Sequence, residues 1–298
     1  MAVLGFQELR NESGPLHLAI GIFDGVHLGH RAILKQASEA AARDSGEVVV
    51  LTFWPHPSHV IRPGDSVPML VGRELRTRLL LDAGADTVVF LEFTAEFAKM
   101  EAEAFPAFLK ESVPALKTVS VGDGFRFGRG RAGDAALFCR EGAKVGLDVR
   151  PVARVDLDGV PLSSTLIREK VAAGEIAVTN RLLGYPYLAE GRIIAGEALG
   201  RKIGFPTLNL GWSPDAQPRL GVYAVRVAFP ELSSHSFAGV ANYGCRPTVS
   251  DADAEPMLEV HLLEKLPQEP CGRMEVAFHD FIRAEERFDS VEALAKRI

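Results

Sequence analysis

The chain has 298 residues, of which 47% are hydrophobic and 24% charged, enough length and apolar content for two ordinary globular domains. A formal net charge of -6 argues against broad nonspecific binding to nucleic acid and directs attention to small-molecule ligands. Cys139, Cys245 and Cys271 are far apart without C-x-x-C spacing, and no stretch nears the ~18 apolar residues of a membrane span, so a reduced, cytoplasmic protein without membrane partners is expected.

In chain order, short apolar runs at 16–23, 47–53, 87–93, 117–121 and 147–155 alternate with helical patterns near 30–43, 72–83, 95–111 and 134–144. That alternation predicts a parallel sheet covered by helices. The stretch from Gly21 to His30, GIFDGVHLGH, joins the first strand to the first helix. Its two histidines therefore fall at a helix entrance, where unpaired N–H groups and the helix dipole favour an anion. Read from the residues, this is a phosphate-handling turn, with Gly29 leaving room for a phosphate to approach.

The second strand ends in Thr52-Phe53-Trp54-Pro55-His56-Pro57, on the same rim of the sheet. His56 and His59 lack a cysteine or carboxylate partner, so a metal reading is set aside. The segment 121–133, VGDGFRFGRGRAG, contains a G-x-G-x-x-G, but it does not follow the first strand as a dinucleotide fingerprint should. At 162–168, Ser164 begins a helical pattern and Arg168 follows four residues later, on the same face.

Past 181–186 the pattern changes to short β-like runs at 187–194, 221–229, 236–242, 257–263 and 273–282, predicting a closed antiparallel barrel with a final helix at 290–297. Gly196, Gly200 and Gly204 precede Pro206, Thr207 and Asn209, and the last two alternate along an extended segment, so their oxygens can face the same way. Such oxygens suit Mg2+ and phosphate. Glu259 alternates with apolar neighbours, the ordinary pattern of an outward strand carboxylate.

The histidine turn, T-F-x-P-H-P, V-G-x-x-F-R-F-G and S-S-T-x-x-R, followed by G-F-P-T-x-N, G-V-A-N-x-G-x-R-P-T, E-V-H-L-L and F-x-R-x-E, together resemble the bacterial bifunctional riboflavin kinase/FMN adenylyltransferase (FAD synthetase) family over nearly the whole chain. The resemblance implies an α/β plus all-β protein: a Rossmann-like nucleotidylyltransferase domain at 1–183 and a β-barrel riboflavin kinase domain at 184–298. It implies ATP-dependent phosphorylation of riboflavin to FMN, then adenylyl transfer giving FAD and pyrophosphate, with Mg2+ as cofactor. In the first domain it makes His27, His30 and Arg168 catalytic, with Gly21, Phe23, Asp24, Gly25, Gly29, Phe125, Arg126, Ser163, Ser164 and Thr165 around the nucleotide. In the second it makes Glu259 the proton acceptor, Thr207 and Asn209 the metal ligands, and Gly196, Gly200, Gly204, Pro206, Asn242 and Arg283 further binding positions. Trp54 and Gly124 depart from the pattern, where an acidic residue and an Asp or Asn are usual. Those departures leave open a riboflavin kinase with a weakened adenylylating half, and a non-catalytic flavin-binding regulator stays as a third reading; homo-oligomerisation is also left open.

Overall fold

The computed structural model describes residues 2–11, 14–195, 205–245, 256–266 and 268–286, and every structural statement concerns these. Packing divides the chain between Ser164 and Thr165 into two units. In the first, β1 (Ala2–Leu4), β2 (Leu16–Ile20), β3 (Glu47–Trp54), β4 (Thr87–Glu92), β5 (Leu116–Gly122) and β6 (Asp148–Val152) form one parallel sheet in the order β1-β4-β3-β2-β5-β6. The helices α1 (Leu28–Ala41), α2 (Pro57–Ile61), α3 (Arg73–Asp82), α4 (Phe105–Ser112) and α5 (Ala135–Lys144) connect these strands. A short hairpin, β7 (Asp156–Leu157) with β8 (Val160–Pro161), follows β6.

Every residue of β2 is buried, as a strand covered on both faces requires. Its polar member, His17, is satisfied by Thr118 Oγ1 and Asp44 Oδ1, each at 2.9 Å. From β2 the chain builds one way through β3 and β4, then returns to add β5 and β6 on the other flank. The carboxyl end of β2 is therefore the switch point where open α/β sheets bind ligands. The histidine turn leaves the sheet there.

The Rossmann-like expectation holds, with local corrections. The strand expected at 16–23 stops at Ile20, because Phe23 takes φ +53° and Gly25 φ +77°, neither compatible with extension. The helix expected at 95–111 is two 3-10 turns and then α4: Met100 and Glu101 take extended ψ values of 127° and 147°, and Pro106 stands in the first turn of α4, where a missing N–H costs nothing. The edge strand β1, paired in parallel with β4, escapes sequence reading because three residues carry no periodicity.

In the second unit, β9 (Tyr187–Ile194), β10 (Thr207–Gly211), β11 (Gly221–Ala228), β12 (Ser236–Gly244), β13 (Met257–Leu262) and β14 (Arg273–Arg283) close a barrel in the order β10-β13-β12-β11-β14-β9. Alternate residues fill it, among them Tyr187, Tyr223, Tyr243, Val260 and Phe278, all at most 1% exposed. A Cβ on Gly191 would collide with the carbonyl oxygen of Gly211, so the approach of β9 to β10 that closes the barrel requires glycine. The helices α6 (Ser164–Ala173) and α7 (Ile176–Leu183) precede β9, and Asn180 of α7 donates to Phe278 O (2.8 Å) while accepting from Tyr187 N (2.7 Å). The helix expected at 290–297 and the glycines 196, 200 and 204 lie outside the described residues.

Candidate active sites

The turn after β2 is held from several sides. Asp24 is buried, its Oδ1 accepting from Leu70 N at 2.9 Å and Val71 N at 3.4 Å, and its carbonyl accepts from Ser164 Oγ at 3.0 Å. The S-S-T element is thereby joined to a turn 140 residues earlier. The carbonyl of Ile22 accepts from Thr52 Oγ1 at 2.9 Å and from Arg76 Nη1 at 3.1 Å. Three elements thus converge on the main chain that carries the histidines.

His27 is the N-cap of α1, its Nδ1 accepting from His30 N at 3.3 Å. The imidazole that accepts at Nδ1 carries its proton on Nε2, which leaves Nε2–H as the outward donor. The two rings stack at 3.6 Å between centroids, and Phe23 meets His30 edge-on at 5.3 Å. Burial pulls the His27 pKa from 6.5 down to about 4, against a smaller raising effect of its backbone hydrogen bond. Burial first, and then the nearby His27 and Arg76 charges, hold His30 well below its ordinary value. Both are neutral imidazoles at neutral pH. Phe23 is fully buried and props up the ring pair rather than lining an open surface. At Gly29, a Cβ would stand 3.0 Å from His27 Cε1 and 3.1 Å from Nδ1, so this glycine makes room for the capping ring as well as for a ligand.

The other expected residues of this half make local contacts. Phe125 packs against the core, stacked on Phe127 at 5.5 Å, while exposed Arg126 lies 3.6 Å from Asp134. Asp134 itself caps α5 through Leu137 N. The glycines of 128–133 meet local needs: Gly128 takes φ +73°, and a Cβ there would stand 2.6 Å from Ala102 Cα. Packing accounts for Gly128 and Gly133, and a φ of +64° for Gly130, without a dinucleotide loop. His56 Nδ1 accepts from Ser58 N at 3.1 Å and thereby caps α2. Arg168 sits on α6 with Nη2 at 3.4 Å from Thr165 Oγ1.

Arg76 is the residue that sequence reading missed. It is fully buried beneath Trp54 and Phe90, and burial lowers its pKa to about 10, partly offset by Asp24. A signal existed: Arg76 precedes Leu80 by four residues, so it shares the apolar stripe of α3.

In the barrel, register assembles the second site. Asn209 of β10 pairs with Glu259 of β13, which pairs with Asn242 of β12; Val222 of β11 follows and pairs with Arg283 of β14. Directly paired residues project on one face about 5 Å apart, so Asn209, Glu259 and Asn242 form a contiguous row. Leu258 and Val260 point into the barrel, which puts that row on its outer face, where Asn209 is nevertheless only 5% exposed. Thr207 pairs with His261, and His261 Nδ1 lies 2.9 Å from Pro206 O. Asn242 Nδ2 reaches Glu285 Oε1 at 3.5 Å, bringing the A-N and F-x-R-x-E motifs together. No group of three or more His, Cys, Asp or Glu able to hold a metal occurs among the described residues. The hydroxyl and amide oxygens of Thr207 and Asn209 beside one carboxylate fit Mg2+, which keeps waters and phosphate oxygens as its main ligands.

A doubly wound domain with an anion-ready histidine turn at its switch point, followed by a closed barrel bearing an oxygen-rich row, defines a two-domain phosphotransfer protein. Family models agree on both halves: FAD synthetase matches residues 9–166 and Riboflavin kinase residues 183–298. Proteins named bifunctional riboflavin kinase/FMN adenylyltransferase are 38% identical in Escherichia coli, over 94% of this chain and 88% of the relative, and 35% in Pseudomonas fluorescens, over 99% and 94%. A crystal structure described as a macrolide-efflux protein from Streptococcus pneumoniae superposes with a TM-score of 0.87 at 26% identity, covering 100% of this chain and 96% of that one. The chain belongs to the bifunctional riboflavin kinase/FMN adenylyltransferase family. It carries both enzyme domains. No helix among the described residues is long and apolar enough to cross a membrane.

Proposed function

We propose that residues 1–183 transfer AMP from ATP to FMN, and residues 184–298 phosphorylate riboflavin with ATP and Mg2+. What carries this reading is that each half gathers phosphate-handling groups from distant segments: Ser164 with the Asp24 turn, and Asn209 with Glu259 and Asn242.

In the barrel, Glu259 accepts the proton of the terminal ribityl hydroxyl as that oxygen bonds to the γ-phosphorus of ATP, and ADP leaves. Thr207 and Asn209 hold Mg2+, which when bound neutralises phosphate charge. Asn242 and Arg283 orient the reactants. In the first half, a phosphate oxygen of FMN attacks the α-phosphorus of ATP and pyrophosphate leaves, so no protein nucleophile is needed. His27 donates from Nε2–H as a neutral imidazole, and His30 does so beside it; charge that develops on phosphate oxygens is met by donors already oriented by the cap. Ser164, Arg168 and the amides of α6 hold the pyrophosphate.

Chromatography of flavins after incubation with riboflavin, ATP and Mg2+, with FMN as the starting flavin in parallel, tests the reading. FMN followed by FAD is expected. FMN without FAD from either flavin would mean that Trp54 and Gly124 silence the first half. No product would return the chain to a binding role.

A further inference from the structure

Three buried polar atoms around the histidine turn have no hydrogen-bond partner: Arg76 Nε, Arg76 Nη2 and His30 Nδ1. Arg76 uses one of its five N–H donors on Ile22 O at 3.1 Å. Its faces are covered, with Trp54 at 5.4 Å and Phe90 at 5.2 Å, but stacking satisfies the π faces of a guanidinium and not its edge. Asp24, the neighbouring carboxylate, already receives Leu70 N and Val71 N at one oxygen. A desolvated cation with open edge donors is costly to keep and is retained where an anion uses it. The position agrees: Arg76 shares Ile22 O with the main chain of the turn, and its charge is felt at His30. Trp54, at the carboxyl end of β3, is 36% exposed and is the large hydrophobic residue covering the cluster.

We propose that Arg76 is a phosphate-binding residue of the first domain, its Nε and Nη2 edge taking two oxygens of a nucleotide or flavin phosphate once the Trp54 indole tilts aside. This rests on the adenylyl-transfer reading above. A guanidinium edge matches two phosphate oxygens in a way that an ammonium does not. The Trp54 indole carbon face offers the guanidinium edge no acceptor, so that edge stays available to the substrate.

The test uses the whole protein, with Arg76→Met, Arg76→Lys and Trp54→Glu, and riboflavin phosphorylation as the internal control for folding. In FAD formation from FMN, Arg76→Met should raise the KM of one phosphate substrate about tenfold or more, with a smaller change in kcat; Arg76→Lys should recover part of it. A rise for ATP alone identifies the triphosphate, and a rise for FMN alone the flavin phosphate. Trp54→Glu supplies an internal carboxylate and should raise the same KM, which keeps the question open to refutation if Arg76→Met does not fold. Titration of ATP and FMN against tryptophan emission reports independently: the part of the wild-type change that is lost in Trp54→Phe, and so does not come from Trp212, should need about tenfold more ligand in Arg76→Met. Unchanged KM values in folded variants overturn the proposal. If the wild type makes no FAD the adenylyl reading fails, and the emission titration then decides on Arg76 alone.

Discussion

Acidification protonates His27 in the unfolded chain before it does so in the folded one. The folded pKa is about 4 and the ordinary value 6.5, so between them the unfolded state binds more protons and stability falls as pH falls. Above 6.5 the contribution is complete; below about 4 it is lost. At about 1.4 kcal/mol per pH unit, that interval corresponds to about 3 kcal/mol as an upper bound, a large share of ordinary domain stability. His30 shifts in the same direction and adds to the loss. The comparison to make is with His27→Asn, whose amide oxygen can still cap α1 but does not titrate. Urea unfolding followed by fluorescence, from about pH 7.5 to about pH 4.5, should show the wild type losing up to about 3 kcal/mol more than the variant. Parallel stability curves would refute the assignment of that loss to a buried, neutral capping histidine.

Glu259→Ala should lower riboflavin phosphorylation ~10²-fold or more while leaving FAD formation from FMN, measured by chromatography; near-normal turnover would remove Glu259 from that role. His30→Ala should abolish FAD formation and spare the kinase, and equal loss of both in a folded variant would contradict separate sites. Gly29→Ala places a Cβ 3.0 Å from His27 Cε1, so the ring must move; about 0.5–2 kcal/mol of capping should be lost with most FAD formation, visible in melting and in single-turnover assays. Gly128→Ala meets Ala102 Cα at 2.6 Å with φ +73°, and should cost about 2 kcal/mol or more, a melting shift that a purely solvated loop would not show.

The alternation of apolar runs with helical periods was legible because fully buried parallel strands and amphipathic helices write their periods into the chain, as Leu16–Ile20 and α1 do. The barrel was legible for the same reason, through the twofold alternation of 221–228 and 236–244. The exact ends were not: the bends at Phe23 and Met100 come from backbone dihedrals that neighbouring packing imposes. At the sites, His27 and His30 could be placed at a helix entrance from spacing, whereas the capping bond that assigns the His27 tautomer needed coordinates. Arg76 was not singled out, because one charged residue within a helical pattern is ordinarily solvated.

Local pattern therefore determined which elements form and, through motifs in an unbroken order, which family the chain belongs to, because both are properties of short contiguous segments. Tertiary structure decided what those segments meet. Strand order put the histidine turn at the switch point, antiparallel register lined up Asn209, Glu259 and Asn242, and the fold closed Trp54 and Phe90 over Arg76. Those are contacts between residues tens of positions or more apart, and burial, which sets the pKa of His27 and leaves the Arg76 edge without a partner, exists once the chain has folded over them.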